Sequence, residues 1–448
     1  MAATQPAVLN GNSPGKKKEP LALAFFWLGA FYFVYCGRPQ DWFKILSYIP
    51  LAKLTGILAM LSLLFVSGKT PRKFKDVPRE GSYLLAMIGL MFLSGFLSPV
   101  WRGGAVAHAM EFSKVYVAWI LTFLLITTIT RLRRIIFIQA FSVATISAIA
   151  IIRGRHIPRL NGAVNGIYSN PNDLAFAIVL CIPLVVMFFV SAKGMIRKSV
   201  WVGLMLSMMT ALILTASRAG FINLLVSGSV CLWHFGVKGK RFYLIVLSGL
   251  TATIVLVSAG STLQTRLLSI TEGMGTRDEQ VQNRAYESFQ ERKFLIEKSV
   301  EGILHYPILG VGGSNFGQYS GAWKQVHMSY LQIGVEGGVP MLILYLLFFR
   351  RGFNNLKVLR KRKDLDGETK LLVGALHSML VGFALGACFA PEAYQFFPYF
   401  TVCYTSVLFA IVREREAAKT SLAVLPSESK SYSEIYGTKT PGGLVPAR

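Results

Sequence analysis

The sequence predicts an all-α polytopic membrane protein, with about twelve transmembrane helices and a helical loop domain on one face. Three observations carry this reading. Hydrophobic residues make up 53% of the 448 and charged residues only 15%, with a mean hydropathy of +0.49, a balance suited to a bilayer rather than to water. Apolar runs close to the roughly 20 residues a helix needs to cross about 30 Å of hydrocarbon recur along the chain. The Lys and Arg residues sit in short clusters between those runs. The net charge of +25 therefore reads as a topology signal, and nucleic acid is not expected as a partner.

The elements follow in order. Residues 1–20 are a polar tail ending in Lys16-Lys17-Lys18-Glu19-Pro20. They lack the apolar core and small-residue cleavage site of a removed signal peptide, so the first span is expected to stay as an anchor. Residues 21–260 hold spans one to nine, near 21–36, 51–67, 83–99, 113–130, 135–152, 172–191, 200–216, 219–237 and 242–260. Residues 261–338 form the one long loop domain, and 339–413 hold spans near 339–352, 371–389 and 396–413, the last opening in the aromatic belt Phe396 to Phe400. The Ser-, Lys-, Gly- and Pro-rich segment 414–448 is expected to be a disordered tail.

Basic clusters at 16–18, 69–79, 131–134, 193–198, 238–241 and 350–370 all fall on one side when the spans are counted. By the positive-inside rule that side is the cytoplasm, which puts both termini there and the long loop domain outside. A segment that long between membrane helices is more often functional than idle. From Gln290 to Leu304 it is helix-like, with Phe294, Ile296, Val300, Ile303 and Leu304 as its apolar stripe. It breaks at His305-Tyr306-Pro307 and runs on through Gly310-Val311-Gly312-Gly313. Five cysteines, Cys36, Cys181, Cys231, Cys388 and Cys403, lie in or beside apolar runs without metal-ligand spacing and read as packed free thiols.

Several residues resist a purely structural reading. Arg153, Arg155, His156 and Arg159 lie on the face the topology rule keeps poor in Lys and Arg. An anionic ligand at the membrane surface would justify them, while snorkelling to lipid phosphates is the plain alternative for the first two. Arg159 is the better candidate, since it leads into the polar run Asn161 to Asn172. Arg218, in Thr215-Ala216-Ser217-Arg218-Ala219-Gly220, is wedged between two spans with almost no loop. A diphosphate would pair it; closing a helix pair by bonding carbonyls is the structural alternative.

The outer segment carries Arg284, Arg292, His305 and His327. His327 directly precedes a helical pattern ending at Glu336-Gly337-Gly338, and a neutral imidazole can take a hydroxyl proton at neutral pH, although a histidine at a helix entry is often only that. His377 stands alone in an apolar span and reads as a packing residue. Asp364-Leu365-Asp366 has the spacing by which many sugar-nucleotide transferases hold a metal, but it lies in a basic cytoplasmic loop. Gly310 to Asn315 does not complete a dinucleotide-binding fingerprint. No metal and no cofactor is expected.

Taken together, these segments carry a resemblance. The run Arg292 to Phe316, followed by His327-Met328-Ser329-Tyr330-Leu331-Gln332 and Glu336 to Pro340, resembles the signature region of the bacterial O-antigen ligase and Wzy-type O-antigen polymerase superfamily. Thr215 to Gly220 looks like that family's Ser-Arg-Gly turn, and Asn170-Pro171-Asn172 with Ala175 opens the sixth span in the same way. Met328 stands where the family usually has Asn, and Ile296 where Trp is frequent, which leaves the subfamily open.

The resemblance implies a GT-C-like fold and transfer of a glycan from undecaprenyl diphosphate to an acceptor sugar hydroxyl, metal-independent and inverting, on the periplasmic face of the bacterial inner membrane. The acceptor would be lipid A core or a growing glycan chain, with membrane lipids as surroundings. Carried over by position, His327, Arg218 and Arg292 are catalytic, and Arg218, Arg292, Arg159 and Arg284 bind the diphosphate. Asn170, Asn172, Tyr330 and Glu336 are further candidates. The alternative is a transporter or flippase of lipid-linked anionic glycans, which would also place arginines in a cavity. Such proteins usually show two related halves, and none are visible here. A sugar-nucleotide transferase on the cytoplasmic face is a third reading and rests on Asp364 and Asp366.

Overall fold

A computed structural model describes residues 21–65, 72–154, 159–161, 167–258 and 279–424. Among them there is no strand. The twelve expected spans correspond to helices α1 Ala22–Gly37, α2 Leu51–Leu64, α3 Arg79–Phe96, α4 Arg102–Leu125, α5 Ile129–Arg153, α6 Pro171–Ser191, α7 Met195–Leu214, α8 Arg218–Leu232, α9 Tyr243–Ser258, α11 Ser329–Lys361, α12 Gly367–Gly386 and α13 Phe396–Val424. The outer segment supplies α10, Glu279–His305, which stops where the sequence breaks at Tyr306-Pro307. Seven of these helices, α5 to α8 and α11 to α13, are long and apolar enough by themselves to cross a membrane, α8 counted with its π-helical continuation to Val237. The protein is thus an all-α, multi-pass membrane protein.

Among the described residues, contacts join connectors at each end of the bundle. At one end of the bundle Arg133 bonds Glu368 at 2.7 Å and the buried Arg72 bonds Glu414 at 2.7 Å. Arg72 also donates to the carbonyls of Phe123 and Ile126, both at 2.8 Å. At the other end Leu160 N–H donates to Leu214 O at 3.0 Å, Ser98 Oγ to Val311 O at 2.6 Å, and Ser329 N–H to Ala387 O at 2.8 Å.

Three details depart from expectation. The last helix continues to Val424 rather than ending at the span, because Glu414 and Glu416 bond Arg72 and Arg362; of the expected tail, 425–448 lies outside the described residues. Helix α11 begins ten residues ahead of its span and bends at Gly338, whose φ of +78° no helix adopts. Its outer arm, Ser329 to Gly337, therefore belongs to the loop domain, and Pro340 starts the membrane part without needing an amide donor. His377 is not a mere packing residue, since its Nδ1 lies 3.0 Å from Nε2 of His234 and Arg360 Nη1 lies 3.2 Å from its Nε2.

Candidate active site at the outer end of the bundle

The Thr215 to Gly220 turn shows why those residue types recur together. Thr215 Oγ1 bonds Leu212 O at 2.6 Å, Ala216 reverses the chain at φ +48°, and Ser217 caps α8 by accepting Gly220 N–H at 3.1 Å. Gly220 is needed because a Cβ there would press on Ala175 of α6 at 2.7 Å. The turn delivers Arg218 as the first residue of α8, exposed, beside the positive end of the helix dipole. Such a place, where amide groups and a guanidinium converge, attracts an anion.

Arg159 is held to that turn. Its Nε donates to Thr215 O at 3.1 Å and its Nη2 to Asn172 Oδ1 at 3.3 Å. Asn170 is the cap of α6, its Oδ1 accepting Asn172 N–H at 2.9 Å, so its role is to aim Asn172. Arg153 leans instead on Trp42 O at 3.3 Å, and Arg155 and His156 lie outside the described residues.

The other half of the site is built by α10 and the approach to α11. Arg292 is exposed on α10, next to Glu291, whose carboxylate pairs with Lys324 and so ties the 321–327 stretch to that helix. His327 is half-buried. Burial first and the neighbouring charge of Arg292 second push its imidazole below the usual histidine range, which leaves it neutral and ready to accept a proton at pH 7. Arg284 lies about two turns upstream in α10, its side chain outside the described residues.

Two expected candidates are committed elsewhere. Tyr330 donates its hydroxyl to Ala384 O at 2.9 Å and packs edge-on against Tyr345. Glu336 is buried beneath the glycine loop, where its backbone carbonyl accepts Gly312 N–H at 3.0 Å and Val335 O accepts Val311 N–H at 2.8 Å. Gly310, at φ +67°, is required there, since a Cβ would strike the Glu336 backbone. Tyr330 is thereby turned toward α12, and Glu336 is covered by the glycine loop. Asp364 is paired with Arg362, and Asp366 caps α12 by accepting Thr369 N–H at 2.8 Å, both at the opposite end.

Sequence reasoning missed the link between the two halves. Ser329, two residues after His327, accepts Glu392 N–H at 3.0 Å and donates to Ala390 O at 2.7 Å. The buried Glu392 carboxyl is hydrogen bonded to Asp173, the neighbour of Asn172. Burial first and the adjacent Asp173 charge second push the Glu392 carboxyl well above the usual carboxylate range. These contacts tie the start of α11 to the 390–392 connector and, through Asp173, to the start of α6, where Asn172 holds Arg159. Asp173, an acid in the first turn of an apolar helix, was the visible signal; Glu392 gave none.

Among the described residues no group of three or more His, Cys, Asp or Glu side chains has the makings of a metal site. The five cysteines are free thiols. Comparison with known families matches residues 202–346 to the model described as O-antigen ligase. No curated protein matches the chain. The matched segment runs from within α7, through Arg218, Arg292 and His327, into the membrane part of α11. The resemblance to the O-antigen ligase and Wzy superfamily is therefore borne out over this segment, and it points to a ligase- or glycosyltransferase-like enzyme in a membrane.

Proposed function

We propose that this protein transfers a glycan from undecaprenyl diphosphate to a sugar hydroxyl on the periplasmic face of the bacterial inner membrane, with both termini in the cytoplasm. What supports the reading is that the segment matched to the O-antigen ligase family holds Arg218, Arg292 and His327, with Arg292 close enough to His327 for its charge to bear on the imidazole. Arg218 and Arg159 on one flank and Arg292 on the other bind the diphosphate in bidentate fashion, with Arg284 nearby on the same helix.

The acceptor hydroxyl oxygen attacks the anomeric carbon from the side opposite the diphosphate, which inverts that centre. Its proton passes to the imidazole of His327. The bond from the anomeric carbon to the phosphate oxygen breaks, its electron pair leaves on the diphosphate, and the guanidinium groups stabilise the charge that develops there. No step calls for a metal ion. Residues 261–338 form the periplasmic loop domain that contributes Arg284, Arg292 and His327, while Arg159 and Arg218 come from the membrane region 21–260, and 339–413 completes the bundle.

The test is a reaction of purified protein with an undecaprenyl-diphosphate-linked glycan in EDTA, with lipid A core offered as an optional acceptor. Product only with the core identifies a ligase, and lengthened product from donor alone a polymerase. Intact donor crossing a liposome membrane without product would replace this reading with that of a transporter.

A further inference from the structure

Trp323 stands in the stretch that leads from the glycine loop to His327, and its backbone lies in the left-handed region at φ +54°. That region penalises any L residue with a Cβ, and a bulky side chain there marks strain that the surrounding structure must hold in place. The holding is visible on both sides. Trp323 N–H donates to Gly317 O at 3.0 Å, closing the chain back on the helical turn Phe316–Ser320, and Gly321 just before it is left-handed as well, at φ +72°. Ala322, Val326 and Met328 pack into the small apolar core that the loop domain builds from Leu295, Val311, Phe316 and Val335. Between these anchors the indole itself stays outside, 78% exposed. A solitary exposed aromatic calls for no explanation. An indole pinned in a costly backbone conformation, on a loop whose other apolar side chains turn inward, does call for one, because the fold gains no burial in return for the strain.

Its position ties it to the reaction centre. Lys324, the next residue, pairs with Glu291 beside Arg292, and its charge reaches the imidazole of His327. Four steps along the chain separate Trp323 from His327, so their Cα atoms lie at most about 14 Å apart. We propose that Trp323 is a sugar-stacking residue, its indole face taking the C–H face of a sugar ring in the glycan a few units from the carbon that reacts. This rests on the transferase reading above. A sugar ring carries an apolar C–H face rimmed by hydroxyls, and an indole offers the matching pair, a flat apolar face and an N–H donor. Holding the ring fixed beforehand spares the cost of ordering it when the sugar arrives. Arg218, Arg292 and His327 act on charge and on one hydroxyl; a stacking face adds a grip on the rest of the glycan that does not depend on one pattern of hydroxyls. Lys324 and Glu291 beside the indole are exposed charges, a setting for a hydrated glycan rather than for hydrocarbon. The stacked ring belongs to the donor or to the acceptor, and the experiment separates the two.

The test uses the full-length protein in detergent and isothermal titration with two lipid-free probes, the glycan released from its diphosphate by mild acid and the core oligosaccharide freed of its acyl chains. Trp323→Ala is expected to weaken binding of one of them about fivefold, the scale of one lost aromatic contact, while Trp323→Phe, which keeps a ring face, stays within about twofold of wild type. In the transfer reaction KM for the lipid-linked form of the same sugar should rise in parallel with kcat retained, and Tm should not move, since the indole is exposed. Unchanged affinity for both sugars in Trp323→Ala overturns the proposal, as does an equal loss in Trp323→Phe or a wild type that binds neither sugar. So does quenching by brominated lipid of the emission that Trp323→Phe removes, which would place the indole at the membrane surface. If sugar binding falls in Trp323→Ala but the wild type transfers nothing, the stacking role stands and the transferase reading fails; unchanged sugar binding with normal transfer is the reverse.

Discussion

Lys324 and Glu291 form an ion pair that fastens the approach to His327 onto the helix bearing Arg292. The two charges bear on the imidazole with opposite sign, Lys324 lowering and Glu291 raising its proton affinity. His327 must be unprotonated to act, so activity is full above its pKa and falls as the pH drops through it. Lys324→Gln removes a neighbouring cation, raises that pKa and moves the acid limb to higher pH. Glu291→Gln moves it to lower pH. Both shifts should be small, since both partners are exposed and their charges are screened. Profiles of kcat/KM against pH for the two variants check this, and shifts in the same direction would remove His327 as the titrating group.

Arg218→Ala, Arg292→Ala and His327→Ala should each lower transfer by about 100-fold or more in correctly inserted protein, the usual scale for losing a group that stabilises the transition state. Arg218→Lys should also be poor, because a point charge cannot replace the planar fork. Initial rates with the purified variants decide it; normal rates in all three alanine variants end the assignment.

Transfer should be unaffected by EDTA. Asp364→Asn and Asp366→Ser should keep activity, the serine preserving the cap on α12, while Asp366→Ala should cost about 1 kcal/mol of stability without a specific loss of turnover. Loss of activity in Asp364→Asn, restored by added divalent cation, would revive the sugar-nucleotide reading.

Gly338→Ala should destabilise the protein by about 3 kcal/mol or more. The residue sits at φ +78°, and a methyl group would press into the Ile308 carbonyl. Thermal unfolding followed by detergent-resistant fluorescence should show a fall in Tm, and Gly310→Ala should behave alike for the same reason.

The membrane architecture was legible because length and hydropathy specify a span locally, and each of the twelve predicted runs became a helix. Arg218 was legible for a related reason: it breaks a local rule, and its turn has recognisable capping residues. What could not be read depends on contacts between segments far apart in the chain. Glu392 matters only because the 387–395 connector folds onto Ser329 and Asp173. His377 looked solitary until α8 brought His234 beside it. Tyr330 and Glu336 lie in the right motif, but packing against α12 and the glycine loop turns one to a carbonyl and buries the other.

The long-range clasp between Arg72 and Glu414 bears on how the chain is made. Tyr35 of the first helix stacks on Phe396 of the last with centroids 4.6 Å apart, and Phe396 N–H donates to the Tyr35 hydroxyl at 3.2 Å. During synthesis the early helices enter the membrane long before these partners emerge from the ribosome, so for most of translation α1 has no neighbour for that aromatic face and Arg72 has no carboxylate. A chain that stops before residue 396 lacks both partners, leaving Tyr35 without Phe396 and Arg72 with only the Phe123 and Ile126 carbonyls as acceptors. The final helix is thus what closes the packing of the first, so the bundle reaches its full set of contacts only when the last span is in place.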